Sequence, residues 1–71
     1  MNRMPVRSSN LASVGYDEIS QTLEVEFTNN TVYQYFDVPT SEYHGLMGAT
    51  SKGHYFDVNI KKKGYQFKKI S

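Results

Sequence analysis

The side chains best equipped for chemistry are gathered in Lys61-Lys62-Lys63-Gly64-Tyr65-Gln66-Phe67-Lys68-Lys69-Ile70. This stretch interleaves lysines with aromatic rings, the combination by which proteins neutralise phosphates and stack bases. Lys61, Lys62, Lys63, Lys68 and Lys69 are therefore candidate phosphate contacts, with Lys52 and Arg7 in support. Tyr65 is the candidate stacking residue, and Tyr35 joins it under one of two hairpin registers set out below. The same stretch also suits a lysine-rich helix end followed by a protected edge strand, with Tyr65 and Phe67 in the core. All seven acids lie between Asp17 and Asp57, and six of the eight basic residues between Lys52 and Lys69. A net charge of +1 thus conceals a basic C-terminal side able to steer a polyanion locally.

The remaining inventory argues against catalysis. His44 and His54 fall on different predicted helices, without the i, i+4 pairing of helix-borne metal sites. Ser8, Ser9 and Ser51 have no neighbouring base in a triad pattern and suit caps and turns. Asp17 and Asp37 close predicted strands while Asp57 lies inside a predicted helix, so nothing brings the three together around a proton or a cation. Gly45, Gly48 and Gly53 are spaced too loosely for a phosphate-binding loop. The reading is a binding module rather than an enzyme, with no metal and no cofactor.

The 71 residues that carry these groups make one domain, able to bury only about 60% of the unfolded chain's surface. Six tyrosines and four phenylalanines supply the large buried areas that so small a core needs. The absence of cysteine suits a reducing compartment. The N-terminus lacks the apolar run of a signal peptide, and no segment is long enough to span a bilayer. The expectation is a cytoplasmic monomer with no membrane partner.

Residues 1–10 read as a polar N-terminal arm, and residues 11–71 as a single domain. Leu11 to Asp17 is the first expected strand, with Gly15 as a candidate bulge. Thr22 to Phe27 alternates Leu23, Val25 and Phe27 against Glu24 and Glu26, and Thr31 to Val38 completes a hairpin. Thr40 is expected to cap a short helix whose Tyr43, Leu46 and Met47 share a face. Ser51 is expected to cap a second helix running to about Lys63, with Phe56 and Ile60 toward the sheet and Gly64 just past its end. Tyr65 to Ile70 then returns as an edge strand. The expected fold is α+β: a three-stranded antiparallel β-meander, two short helices and a C-terminal edge strand.

The hairpin register decides where the tyrosines point. A two-residue turn at Asn29-Asn30 sets Val25 opposite Gln34 and Leu23 opposite Phe36, leaving an amide on the apolar side. A loop over residues 28–30 with Asn30 left-handed sets Val25 opposite Tyr33 and Leu23 opposite Tyr35, and Gln34 moves outward beside Glu24. The second arrangement is preferred because it removes a polar group from the core and asparagine tolerates positive φ. Tyr35 is available for stacking only in the first.

The succession Ser8-Ser9, Val14-Gly15-Tyr16-Asp17, Leu23-Glu24-Val25-Glu26-Phe27, Tyr33-Gln34-Tyr35, Val38-Pro39 and Ser51-Lys52-Gly53-His54-Tyr55-Phe56 with Ile60 resembles the KTSC domain. The resemblance covers nearly the whole chain; its only noted departure is Asn30 where glycine is expected in the hairpin turn. That family is named for its place at the C-terminus of some lysyl-tRNA synthetases and also forms small stand-alone proteins, which this chain looks like. The synthetase context implies RNA as a ligand. The competing function is a protein-interaction domain accessory to a larger assembly, using an exposed sheet edge or the helix of Tyr43, Leu46 and Met47.

Overall fold

Asn30 holds a backbone φ of 70°, the left-handed region that asparagine enters more readily than bulkier residues. The computed structural model, which describes all of residues 1–71, shows what this turn organises. The Asn29 Oδ1 accepts from the Thr31 amide at 3.1 Å and from its hydroxyl at 2.6 Å, while the Asn30 amide donates to the Phe27 carbonyl at 2.9 Å. Strands β3 (Thr22–Phe27) and β4 (Val32–Tyr35) leave this three-residue loop with Leu23 opposite Tyr35, Val25 opposite Tyr33 and Glu24 opposite Gln34. The register is the one that keeps the Gln34 amide out of the core. Strand β4 stops three residues short of the expected Val38, because Asp37 turns into positive φ (57°).

Strand β2 (Leu11–Asp17) pairs antiparallel with β3, and the expected bulge at Gly15 is displaced: the register shifts between Leu11 and Ser13. The extra residue there, Ala12, moves Leu11 onto the face of Val14 and Tyr16, since a one-residue insertion reverses the alternation. Leu11 is consequently fully buried in the core. Gly15 serves a different need, because a Cβ there would stand 2.7 Å from the Asn2 carbonyl oxygen.

That carbonyl belongs to the segment expected to form a polar N-terminal arm. Met4–Pro5 forms strand β1, pairing with Val14 and Ser13, so four strands rather than three precede the helices. Arg3 donates from Nε to Ser13 Oγ at 3.0 Å and from Nη1 to the carboxylate of Glu24, which also accepts from Gln34 Nε2 at 2.8 Å. The N-terminal segment is thereby tied to an acidic side chain that is only 7% exposed on the sheet's polar face. A charge buried to that degree needs such partners.

Helix α1 spans Thr40–Gly48 and α2 spans Lys52–Asn59. Pro39, not Thr40, occupies the N-cap of α1 without a side-chain cap, whereas Ser51 Oγ caps α2 by accepting from the His54 amide at 3.3 Å. The second helix ends sooner than its sequence pattern suggests: Lys61–Lys63 form a separate 3₁₀ turn, closed by Gly64 at φ 86°. The three lysines therefore sit beyond the helix rather than in its last turn. Strand β5 (Phe67–Lys69) completes an antiparallel sheet of order β1-β2-β3-β4-β5.

Both helices cover the face bearing Leu11, Val14, Leu23, Val25 and Tyr35, and add Leu46, Phe56 and Ile60 to one core. Phe56 meets Phe27 and Tyr35 edge-on, each with ring centroids 5.4 Å apart. Tyr16 and Tyr43 stack at 4.7 Å on the α1 side, and the Tyr55 hydroxyl donates to Glu42 at 2.5 Å. That bond to Glu42, with a lesser contribution from burial, pushes the Tyr55 phenol up to about 12. The tyrosines of this side are thus held in structural pairs.

Candidate nucleic-acid interface

Directly paired residues of an antiparallel sheet share a face. With Phe67 opposite Tyr35 and Lys69 opposite Tyr33, both point to the helix side of the sheet, while Lys68, opposite Gln34, points to the polar side. The last strand therefore divides the C-terminal lysines between two surfaces. On the helix side α2 leaves the sheet's β5 end uncovered, and a groove of about 610 Å³ opens there.

Its floor and walls are aromatic: Phe27, Tyr33, Tyr35, Phe56 and Phe67 line it, with Asn10, Asn29, Asp57 and Lys61 among the polar groups. Phe67 lies 6.0 Å from Tyr33 and 5.5 Å from Tyr35 between ring centroids. Tyr35 is buried at the bottom, where burial and then the neighbouring Tyr33 phenol push its hydroxyl above the usual tyrosine value. Phe67 is 62% exposed, although it is a large apolar side chain already in contact with a ring cluster. An exposed phenylalanine beside a half-buried tyrosine forms a shelf on which a planar group can stack.

The cations are unevenly committed. Lys61 lines the groove and has no ion-pair partner, whereas Lys62 Nζ lies 3.2 Å from Asp57 Oδ2. Lys63 is exposed in the same turn. A second cleft, of about 520 Å³, lies at the start of α2 and is wholly polar. Arg7, Ser8, Lys52 and His54 are among its lining residues, and Lys52 Nζ donates to the Ala49 carbonyl at 3.1 Å. Asn10 lines both clefts, so the aromatic groove and the basic cleft adjoin.

Of the residues singled out from sequence, Lys61 lines the groove, Lys69 lies on the same face of the sheet, and Arg7 and Lys52 line the adjoining cleft; Tyr35 is at the groove's floor but buried, in the register that leaves it unavailable for stacking. Lys68 lies on the other face. Tyr65 lies outside both clefts: it packs partly buried against the core, where burial, Glu42 and Tyr16 raise its phenol pKa. Phe67, Tyr33, Asn10, Asn29 and Asp57 were not anticipated as site residues. The signal for Phe67 was present, since a final strand paired through Gln34 and Lys68 has to set it beside Tyr35 at the sheet's margin. His44 and His54 are both exposed on separate helices, and no three His, Asp or Glu side chains gather as a metal site would need.

Fold and groove together define a small α+β module in which two helices cover most, but not all, of one face of an antiparallel meander. The chain belongs to the KTSC domain family, which it matches over residues 7–65. It superimposes on the crystal structure of the KTSC domain protein YPO2434 from Yersinia pestis with a TM-score of 0.93 and 41% identity, covering 99% of this chain and 97% of that one. An uncharacterized protein of Stutzerimonas stutzeri (strain A1501) is 39% identical over 99% of both chains. A lysine–tRNA ligase of Nostoc punctiforme is 43% identical over 56 residues, which make up 79% of this chain but 10% of the ligase. No helix is long and apolar enough to cross a membrane.

Proposed function

We propose that this protein is a non-catalytic module that binds single-stranded RNA along the aromatic groove and the adjoining basic cleft. The observation that carries the reading is the exposed Phe67 ring beside Tyr33, with the unpaired Lys61 at the same groove. Bases stack on the Phe67–Tyr33 shelf, phosphates meet Lys61 and Lys69, and the strand continues past Asn10 to Arg7 and Lys52. The occurrence of a related segment within a ligase that acts on a transfer RNA supports RNA over DNA as the ligand.

Four neutralised phosphates on a single strand give a log–log salt slope near ~−3. Fluorescence anisotropy with a labelled RNA oligomer across a salt series is expected to return that slope. Lys68→Ala leaves it unchanged, because this side chain is on the opposite face. Binding that ignores salt, or no binding at low ionic strength, removes the proposal.

A second reading has its own observation. The pairing of Gln34 with Lys68 leaves the Phe67 and Lys69 amides pointing away from β4, an edge to which a partner's strand can add, beside the exposed Phe67 and Ile70. The lysines on that strand disfavour such pairing, so RNA is preferred.

A further inference from the structure

We infer that the aromatic groove prefers guanine among the four bases, and that Asp57 with Lys61 reads its Watson–Crick edge. This inference rests on the RNA reading above and gives it a sequence preference. Asp57 is the only carboxylate lining the groove, and Lys61, four residues further on, is its only lining cation. Lys62 contacts one carboxylate oxygen of Asp57, Oδ2, at 3.2 Å. The other oxygen is unengaged, and Oδ2 retains a further lone pair. The side-chain carbonyl oxygens of the two groove asparagines are uncharged and already accept within the protein, Asn10 Oδ1 from Ser8 Oγ at 2.9 Å and Asn29 Oδ1 twice from Thr31. Their amide groups and Lys61 are donors, which leaves Asp57 as the one strong acceptor beside the stacking shelf.

The carboxylate and the ammonium thus supply two acceptor positions and a donor to the same groove. Guanine alone offers the complement on one edge, with the N2 amino group and N1–H side by side and the O6 acceptor next to them. Adenine and cytosine each set a single amino group beside a ring nitrogen whose lone pair opposes the carboxylate. Uracil sets its one N–H between two carbonyls. A base mismatched in this way leaves a charged acceptor desolvated against a lone pair, which costs more than the absence of a bond. Recognition of an unpaired base through its Watson–Crick edge while its face stacks on an aromatic ring is the ordinary mode for single-stranded RNA. A good bidentate contact discriminates by roughly 1–3 kcal/mol. The Asp57 side chain is 42% exposed, so the low end applies, a preference of about 5- to 20-fold.

The test uses the whole chain and labelled pentamers U-U-X-U-U, with X as guanine, adenine, cytosine, uracil or inosine. The expected result is a guanine preference of about that size, an intermediate affinity for inosine, which lacks the N2 amino group, and a loss of the preference in Asp57→Asn. Lys61→Ala is expected to weaken all five pentamers and the guanine one most. Guanosine monophosphate binding as tightly as the guanine pentamer supports the base recognition while removing the strand. Equal, salt-dependent affinity for all pentamers overturns the base preference and leaves the RNA reading standing. A preference that survives in Asp57→Asn overturns the assignment, and no binding of any pentamer overturns both readings.

Discussion

Phe67→Ala is expected to weaken binding of a single-stranded RNA oligomer by about 5- to 150-fold, since base–aromatic stacking contributes roughly 1–3 kcal/mol per base. The ring is 62% exposed and belongs to an edge strand of three residues, so its removal takes little from the core. Unfolding midpoints of Phe67→Ala and the parent chain are expected to lie close together, which separates lost stacking from lost structure. Ile70 supplies the control. It is another exposed apolar residue at the same end of the sheet, at 43% exposure, but it does not line the groove. Ile70→Ala is expected to bind RNA like the parent chain. Equal affinity of parent and Phe67→Ala, measured by anisotropy at low salt, would exclude Phe67 as the stacking platform.

Phe56→Ala has its effect on stability instead. Phe56 is 2% exposed, projects from α2, and is the hinge of the aromatic cluster through its edge-on contacts with Phe27 and Tyr35. Truncating a buried phenylalanine costs about 3–5 kcal/mol through lost transfer energy and the cavity left behind. At about 0.05–0.15 kcal/mol per residue a chain of 71 residues has roughly 4–11 kcal/mol of stability in all, so the loss takes a large share of it. Urea denaturation is expected to show a midpoint moved far toward zero denaturant. A loss below about 1 kcal/mol would mean that α2 docks through other contacts, and the groove it walls would need redrawing. The two phenylalanines, eleven positions apart in the chain, thus separate the residue that builds the groove from the residue proposed to bind in it.

What the sequence disclosed follows from how local each cause is. The β3–β4 register was legible because the misplacement of one polar side chain, Gln34, sufficed to reject the alternative, and Asn30 was suited to the backbone that the preferred loop requires. The helix N-cap at Ser51 and the left-handed Gly64 were legible for the same reason: each depends on a residue and its immediate neighbours. Strand β1 was not. Two residues carry no alternation, and Pro5 argues against a strand interior; Met4–Pro5 is extended because Arg3 reaches Glu24 and Gly15 leaves room for the crossing, both distant in sequence. The bulge at Ala12 was hidden likewise, since only the finished core shows that Leu11 must change faces. At the candidate site, the lysines were conspicuous but their sorting was not. Lys68 and Lys69 are adjacent in sequence and lie on opposite faces, and only pairing with β4 decides which of them shares the groove's face. Tyr65 drew attention by composition, yet it precedes β5 and packs against the core, so the proposed stacking role passes to Phe67.

The most direct test of the groove as an RNA site is a ¹H–¹⁵N correlation map of the whole chain during titration with a single-stranded RNA oligomer, recorded at low and at moderate salt. Shifts are expected at Asn10, Asn29, Tyr33, Lys61, Phe67 and Lys69, extending to Arg7 and Lys52 and shrinking as salt rises. Tyr43, Tyr55 and Tyr65, on the α1 side, are expected to stay in place. Shifts centred on that side, or a map that RNA leaves unchanged at low salt, would contradict an RNA site in the groove.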